Sequence, residues 1–122
     1  MTETQVWSLV NQSAGSSGIF HWNWTGRANN SNVPAKTVLD ITTLTFNYFP
    51  PSGAANVARV VVDGRDAKGI LVWNVDVYAE KEKTLHLPFP LALRLEPGGH
   101  VEVTAGSDVG VVVGANGRLV DV

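Results

Sequence analysis

The sequence predicts an all-β fold: an antiparallel β-sandwich of about eight strands, most simply arranged as a jelly roll. Hydrophobic residues alternate with polar, small or proline residues in several segments, which is the two-residue period of a strand with one buried face. Besides residues 85–95, these segments include Leu44-Phe46-Tyr48 and Trp73-Val75-Val77. Turn-forming residues recur about every 8 to 12 residues, a spacing typical of sandwiches and barrels. No segment carries a convincing stripe of apolar residues at helical spacing.

The clearest alternation lies between residues 85 and 95. Every odd-numbered residue there is a large hydrophobe expected on one buried face: Leu85, Leu87, Phe89, Leu91, Leu93 and Leu95. Pro88 and Pro90 lie between them and cannot donate backbone hydrogen bonds. This strand is therefore expected to lie at a sheet edge, to bend, or to split into two pieces.

Two further patterns predict local structure upstream. Residues 36–49 are rich in β-branched residues, and their alternation slips between Ile41 and Leu44, which predicts a bulge or bend there. Residues 57–62 and 70–79 are predicted to form a hairpin around a turn at 63–69.

The two ends of the chain complete the predicted single domain, residues 1–122. Residues 1–18 are interpreted as an N-terminal arm followed by a flexible polar loop, with Val6, Trp7 and Leu9 expected to pack on a neighbouring copy. After the turn at 96–99, three short strands are expected, separated by turns at 106–108 and 114–117.

The segment from Thr84 to Val120 contains a hydrophobe-Pro-Leu-x-Leu-x-Leu stretch that leads through Gly98-Gly99 into alternating valines and two short Val-rich strands. In this it resembles the closing strands of small jelly rolls in lectin-like and viral appendage domains. The resemblance implies the fold and no activity.

Composition excludes several classes of protein. The chain has no cysteine, so it has neither disulfides nor a Cys-based zinc site. Its formal net charge is −2 and its Lys and Arg residues are scattered, so no nucleic-acid partner is expected. No apolar run approaches the roughly 20 residues of a membrane-spanning helix. Residues 1–4 do not start a signal peptide, so none is expected in this chain, and the sequence indicates a soluble protein of unassigned compartment.

An aromatic triplet is the best candidate for a binding site. Phe20, Trp22 and Trp24 share one strand face, and indole rings of this kind stack on sugars, but they are equally typical of a core or a subunit interface. If the triplet binds a glycan, four side chains nearby would hydrogen-bond the glycan: Asn23, Arg27, Asn29 and Asn30.

Catalytic and metal sites are not evident, and no cofactor is expected. His21, His86 and His100 stand alone without the paired spacing of a cupin, so a metal site would need them to converge from separate strands. No Gly-x-Ser-x-Gly motif is present. Five carboxylates are the candidates for a two-carboxylate hydrolase: Asp40, Asp63, Asp66, Asp76 and Glu102.

The sequence therefore favours a non-enzymatic interaction or structural module that self-associates into a symmetric oligomer, such as a trimer. The alternatives are a carbohydrate-binding module that uses the aromatic triplet, and a cupin-like or carboxylate-based enzyme.

Overall fold

The computed structural model describes residues 3–12, 17–24, 30–105 and 110–122, with only the backbone given for most of residues 3–12 and for Ser17. This part of the chain is built from strands and contains no helix. The strands are β1 (Glu3–Gln12), β2 (Ser17–Ile19), β3 (Asn23–Trp24), β4 (Thr37–Tyr48), β5 (Val57–Arg65), β6 (Leu71–Glu80), β7 (Thr84–Leu95), β8 (His100–Ala105) and β9 (Val111–Asp121).

The strands form two antiparallel sheets that pack face to face. Sheet A has the order β3-β1-β9-β4-β7, and sheet B has the order β2-β8-β5-β6. With the short β3 set aside, the strands pair from the chain ends inward: β1 with β9, β2 with β8, β4 with β7, and β5 with β6. A long hairpin wrapped in this way is a jelly roll, so the predicted fold class is confirmed.

Apolar side chains from both sheets fill the space between them. In β4 the alternation is regular beyond the bulge, and Leu44, Phe46 and Tyr48 are buried as the sequence predicts. The Tyr48 hydroxyl, although buried, donates a hydrogen bond of 2.7 Å to the Ala55 carbonyl. That bond satisfies the one polar atom that this ring carries into the core.

The predicted irregularity in β4 is present. The register of β4 shifts between Ile41 and Thr43 against both of its neighbours, β7 and β9. On β7, Leu93 pairs with Ile41 and Pro88 pairs with Thr43, so residues 89–92 have only Thr42 opposite them. The local loss of pairing is the signature of a bulge.

This bulge corrects one part of the predicted alternation. Of the three outcomes predicted for this strand, the position at a sheet edge is confirmed for β7, as is the burial of Leu95. Leu91, however, is 88% exposed rather than buried, because it lies in the unpaired stretch where the strand leaves its regular pleat.

The C-terminal strands also differ from expectation. The predicted turn at 114–117 is wrong, since β9 continues through it between β1 and β4. Gly117 allows close packing: a Cβ added to it would overlap the Asp40 carbonyl oxygen and lie 2.9 Å from the Ile41 Cα. Glycine here marks a close backbone approach within a strand rather than a turn.

The N-terminal segment is part of the sheet. Residues Glu3–Gln12, interpreted from sequence as an arm, pair along their length with β9, from Glu3 opposite Val120 to Gln12 opposite Val111. The expected packing of Val6, Trp7 and Leu9 on a neighbour concerns side chains outside the described residues. No helix in the described residues is long and apolar enough to cross a membrane.

Replacing Gly117 with Ala is expected to destabilise the fold by about 1–3 kcal/mol, because the added methyl group meets backbone atoms that cannot rotate away. Chemical denaturation of the two proteins measures the difference. Asn116→Ala, at the exposed neighbouring position, is the control and should change stability by less than about 0.5 kcal/mol. Equal stability of Gly117→Ala and the wild type would contradict the close contact.

Candidate interaction surface

The aromatic triplet lies in the core. Phe20 and Trp22 are 0% exposed and Trp24 is 5% exposed. Trp22 packs edge-on against Phe20, with ring centroids 5.4 Å apart, and stacks on Trp24 at 5.7 Å. Of the two interpretations made from sequence, the structure therefore shows core packing, and these rings offer no face to a sugar.

The polar neighbours of the triplet are only partly described. Asn30 is exposed, but its Oδ1 already accepts hydrogen bonds from the backbone amides of Ser31 and Asn32, at 2.7 and 3.3 Å. Asn23 is half-buried in β3, and Arg27 and Asn29 lie outside the described residues. Glycan binding by this region stays a prediction that lacks its expected stacking surface.

The three histidines have separate partners. His21 Nδ1 lies 3.2 Å from the Ser31 hydroxyl, and His86 Nδ1 lies 3.0 Å from the Thr45 hydroxyl on the outer face of sheet A. His100 belongs to sheet B. In the described part of the chain, no three acidic or histidine side chains lie together as a metal site requires.

The carboxylates considered for catalysis are engaged in ion pairs and hydrogen bonds. Asp40 accepts two hydrogen bonds of 2.7 Å from Arg94, its neighbour on β7, and faces Arg118 on β9. A bidentate pair of this kind ties β7 to β4 just beside the bulge. Asp66 instead accepts hydrogen bonds from the amides of Lys68 and Ile70, which closes the turn between β5 and β6.

A second charged cluster lies on the outer face of sheet B. Arg65 donates to Asp63 at 3.0 Å, and its Nε lies 3.1 Å from Glu102 without hydrogen-bond geometry. His100 Nε2 lies 2.9 Å from the other oxygen of Glu102. These contacts link β5 to β8, and they give each of the carboxylates a structural partner.

The β6–β7 side of the sandwich carries most of the unexplained apolar surface. The last strand of each sheet on this side is an edge strand, β7 in sheet A and β6 in sheet B, so no further strand covers their inward-facing side chains. We call these side chains the apolar seam, and its half-buried members are Trp73, Val75, Val77, Leu85, Leu87, Phe89 and Leu93.

Contacts between elements fix the two ends of the seam. At one end the Trp73 indole lies over Gly64, where an added Cβ would come within 2.6 Å of the ring. The Trp73 Nε1 also donates a hydrogen bond of 3.2 Å to the Arg94 carbonyl. At the other end the β6–β7 turn is held by the Glu82 amide, which donates to the Tyr48 carbonyl at 3.1 Å. A pocket of about 300 Å³ lies beside this turn, between Tyr78 and Leu85.

Strand β6 also carries exposed hydrophobes outside the seam. Leu71 and Val72 are about half exposed, and Tyr78 is 67% exposed. Large apolar patches at the surface of a folded domain mark interaction sites more often than chance exposure does. The alternation in the sequence identified the seam residues as buried, but not that both of their strands are edges on one side.

Asp76 is the charged group nearest the middle of β6. Arg59 on β5 donates to both of its carboxylate oxygens, with Nε 3.0 Å from Oδ1. These hydrogen bonds, with a smaller contribution from the guanidinium charge, hold the pKa of Asp76 below its usual value. The charge on β6 is thus balanced within the same chain.

Known proteins offer likeness in fold only. No protein-family model matches the chain, and no curated protein matches it in sequence. A Bacillus endospore appendage protein of disulfide-linked pili is 10% identical, with a TM-score of 0.48 over 99% of this chain and 89% of that chain.

Two further solved structures are similar at the same level. A protein of the infectious bursal disease virus particle is 10% identical, with a TM-score of 0.48 over 98% of this chain and 31% of that chain. Murine APRIL is 12% identical, with a TM-score of 0.46 over 95% of this chain and 99% of that chain. Likeness at this level indicates no activity or partner.

Trp24→Ala is expected to destabilise the protein by about 3–5 kcal/mol, because it leaves a cavity beside Trp22 in the core. Denaturant unfolding followed by circular dichroism measures the loss. Phe49→Ala is the matched control: it truncates an aromatic ring that is 60% exposed, and its effect should be under about 0.5 kcal/mol. A stable Trp24→Ala protein would contradict core packing.

The carboxyl group of Asp76 is expected to titrate below the usual range of an aspartate, and Arg59→Gln should raise its midpoint towards that range. The depressed pKa means that the pair favours the folded state above the ordinary aspartate pKa, and that this contribution is lost as the pH falls through the depressed value. NMR of the side-chain carboxyl carbon measures both midpoints. An unchanged midpoint in Arg59→Gln would show that the hydrogen bonds do not form in solution.

Proposed function

We propose that this protein is a non-enzymatic β-sandwich module that associates with copies of itself into a symmetric oligomer. The apolar seam is the observation that supports the proposal. Its seven hydrophobic side chains pack on the core from one side and stay partly exposed on the other. A protein surface built in this way is stabilised when a second surface covers it.

The energetic reason is the removal of apolar area from water. Burial of such area favours association by roughly 25 cal/mol per Å². Association also costs translational and rotational freedom, so only a continuous patch buries enough area to outweigh that cost. The seam meets this need, because its residues come from two strands that lie side by side along one edge of the sandwich. Since the chain has no cysteine, no disulfide joins the copies.

Absolute mass in solution, measured by light scattering after size exclusion over a wide concentration range, tests the proposal. The wild type is expected at a fixed multiple of the mass of one chain. Val77→Lys, which places an inward-pointing charge in the seam, should shift the protein to single chains, since lysine can reach water only if the seam stays uncovered.

Val61→Lys is the matched control. Val61 is also half-buried, but it lies on the outer face of the interior strand β5, away from the seam. The control should keep the wild-type mass, and thermal unfolding should show both variants folded. A wild type that is a single chain at every concentration would refute self-association.

A further inference from the structure

The edge strands of this sandwich are unequally protected against pairing with another chain. An edge strand exposes unpaired N–H and C=O groups, and proteins shield such groups with prolines, bulges, lysines or very short strands. On one side of the sandwich the edge strands are β3 and β2, which have 2 and 3 residues. Strands this short are of the shielded kind.

The other side has one shielded edge and one unshielded edge. Strand β7 carries Pro88 and Pro90, and its pairing is interrupted at residues 89–92. Strand β6 has ten residues without proline, lysine or arginine, and among the described residues it pairs only with β5. Its register to β5 is regular from Val57 opposite Glu80 to Gly64 opposite Trp73.

We propose that two copies of this protein pair through β6, antiparallel and about a two-fold axis at Val75, so that sheet B continues from one copy into the other. The inference rests on the proposed self-association and names its surface and symmetry. A two-fold interface must be self-complementary, because the same surface patch of both copies forms it. The sequence of β6 meets that condition in one register.

The choice of register follows from faces and charges. The odd-numbered residues of β6, such as Trp73 and Val77, face the sandwich interior, and the even-numbered ones face outward. Directly opposite residues must share a face, so a register that pairs odd with even positions is excluded. An axis at Asp76 would place two carboxylates directly opposite each other, which is destabilising.

Of the remaining registers, the axis at Val75 pairs the longest stretch. It places every residue from 71 to 79 opposite a residue of the second copy, whereas an axis at Asn74 leaves residues 78–80 without partners in the strand. The outward pairs are Val72 with Tyr78 of the second copy, a β-branched residue against an aromatic ring, and Asn74 with Asp76, an amide donor against a carboxylate.

Pairing of this kind also covers exposed side chains. In the dimer, the half-exposed Val72 of each copy would contact the 67% exposed Tyr78 of the other copy. On the inward face of β6, Trp73 would contact Val77 of the second copy, and this contact extends the apolar seam across the two-fold axis. Asp76 brings no unbalanced charge, because Arg59 of its own chain already pairs with it.

Disulfide trapping tests the register directly, because the chain has no cysteine of its own and an introduced thiol reports only contacts between copies. In the proposed dimer, Val75→Cys places the two thiols directly opposite each other, at a Cα separation of about 4.5–5.5 Å that suits a disulfide. Under mild oxidation, non-reducing electrophoresis should show this variant as a cross-linked dimer.

Val77→Cys is the matched control. It makes the same substitution on the same strand and face, but its two thiols would be offset by four residues, about 13 Å along the strands. It should not cross-link. The double variant Asn74→Cys with Asp76→Cys, at exposed positions that leave the core intact, should cross-link, whereas each of its single variants should not.

The outcomes separate the two proposals. The two-fold pairing is supported if Val75→Cys and the double variant cross-link and Val77→Cys does not. An oligomeric wild type with no cross-link at Val75, equal cross-linking at Val77, or a mass of three chains overturns the pairing and leaves self-association standing. A wild type that is a single chain throughout the concentration range overturns both.

Discussion

The pairing of the chain from its ends inward is the constraint on which the rest of the structure depends. Because β1 pairs with β9 and β4 pairs with β7, the hairpin of β5 and β6 must wrap over sheet A to cover its apolar face. That wrap places β6 and β7, which are joined by a short turn, at the outer edges of different sheets on the same side. The exposed seam is a consequence of the topology rather than of one unusual residue.

Much of this fold can be predicted from the sequence where a local pattern has one physical meaning. The slip in alternation after Ile41 predicts the bulge, and the prolines at 88 and 90 predict an edge, a bend or a split, because neither feature fits a regular interior strand. The pattern fails where one residue type has two meanings. Gly114 and Gly117 suggest a turn, but both lie within β9, where Gly117 allows a close backbone approach, and only the neighbouring strand distinguishes these cases.

The candidate surface is less predictable for a related reason. Alternation identifies Val75, Val77 and Leu85 as facing inward, yet full burial also depends on whether a further strand lies beside them. Trp22 and Trp24 show the opposite case, since an aromatic strand face that could bind a ligand is covered in the core. Which faces are covered is a property of strand order across the sheets, and strand order is set by contacts between residues far apart in the chain.

The pairing of β1 with β9 also has a consequence for how the protein is made. Residue 3 finds its partner at residue 120, and most of the remaining strand pairs join distant segments. Chains dominated by such long-range contacts fold slowly, since distant segments must meet before their contacts stabilise the fold. On the ribosome, where synthesis adds about 5–20 residues per second, β1 must wait until β9 has emerged. Of the two longest strands, β4 and β7, the second carries prolines, which limits its pairing with other nascent chains during that wait.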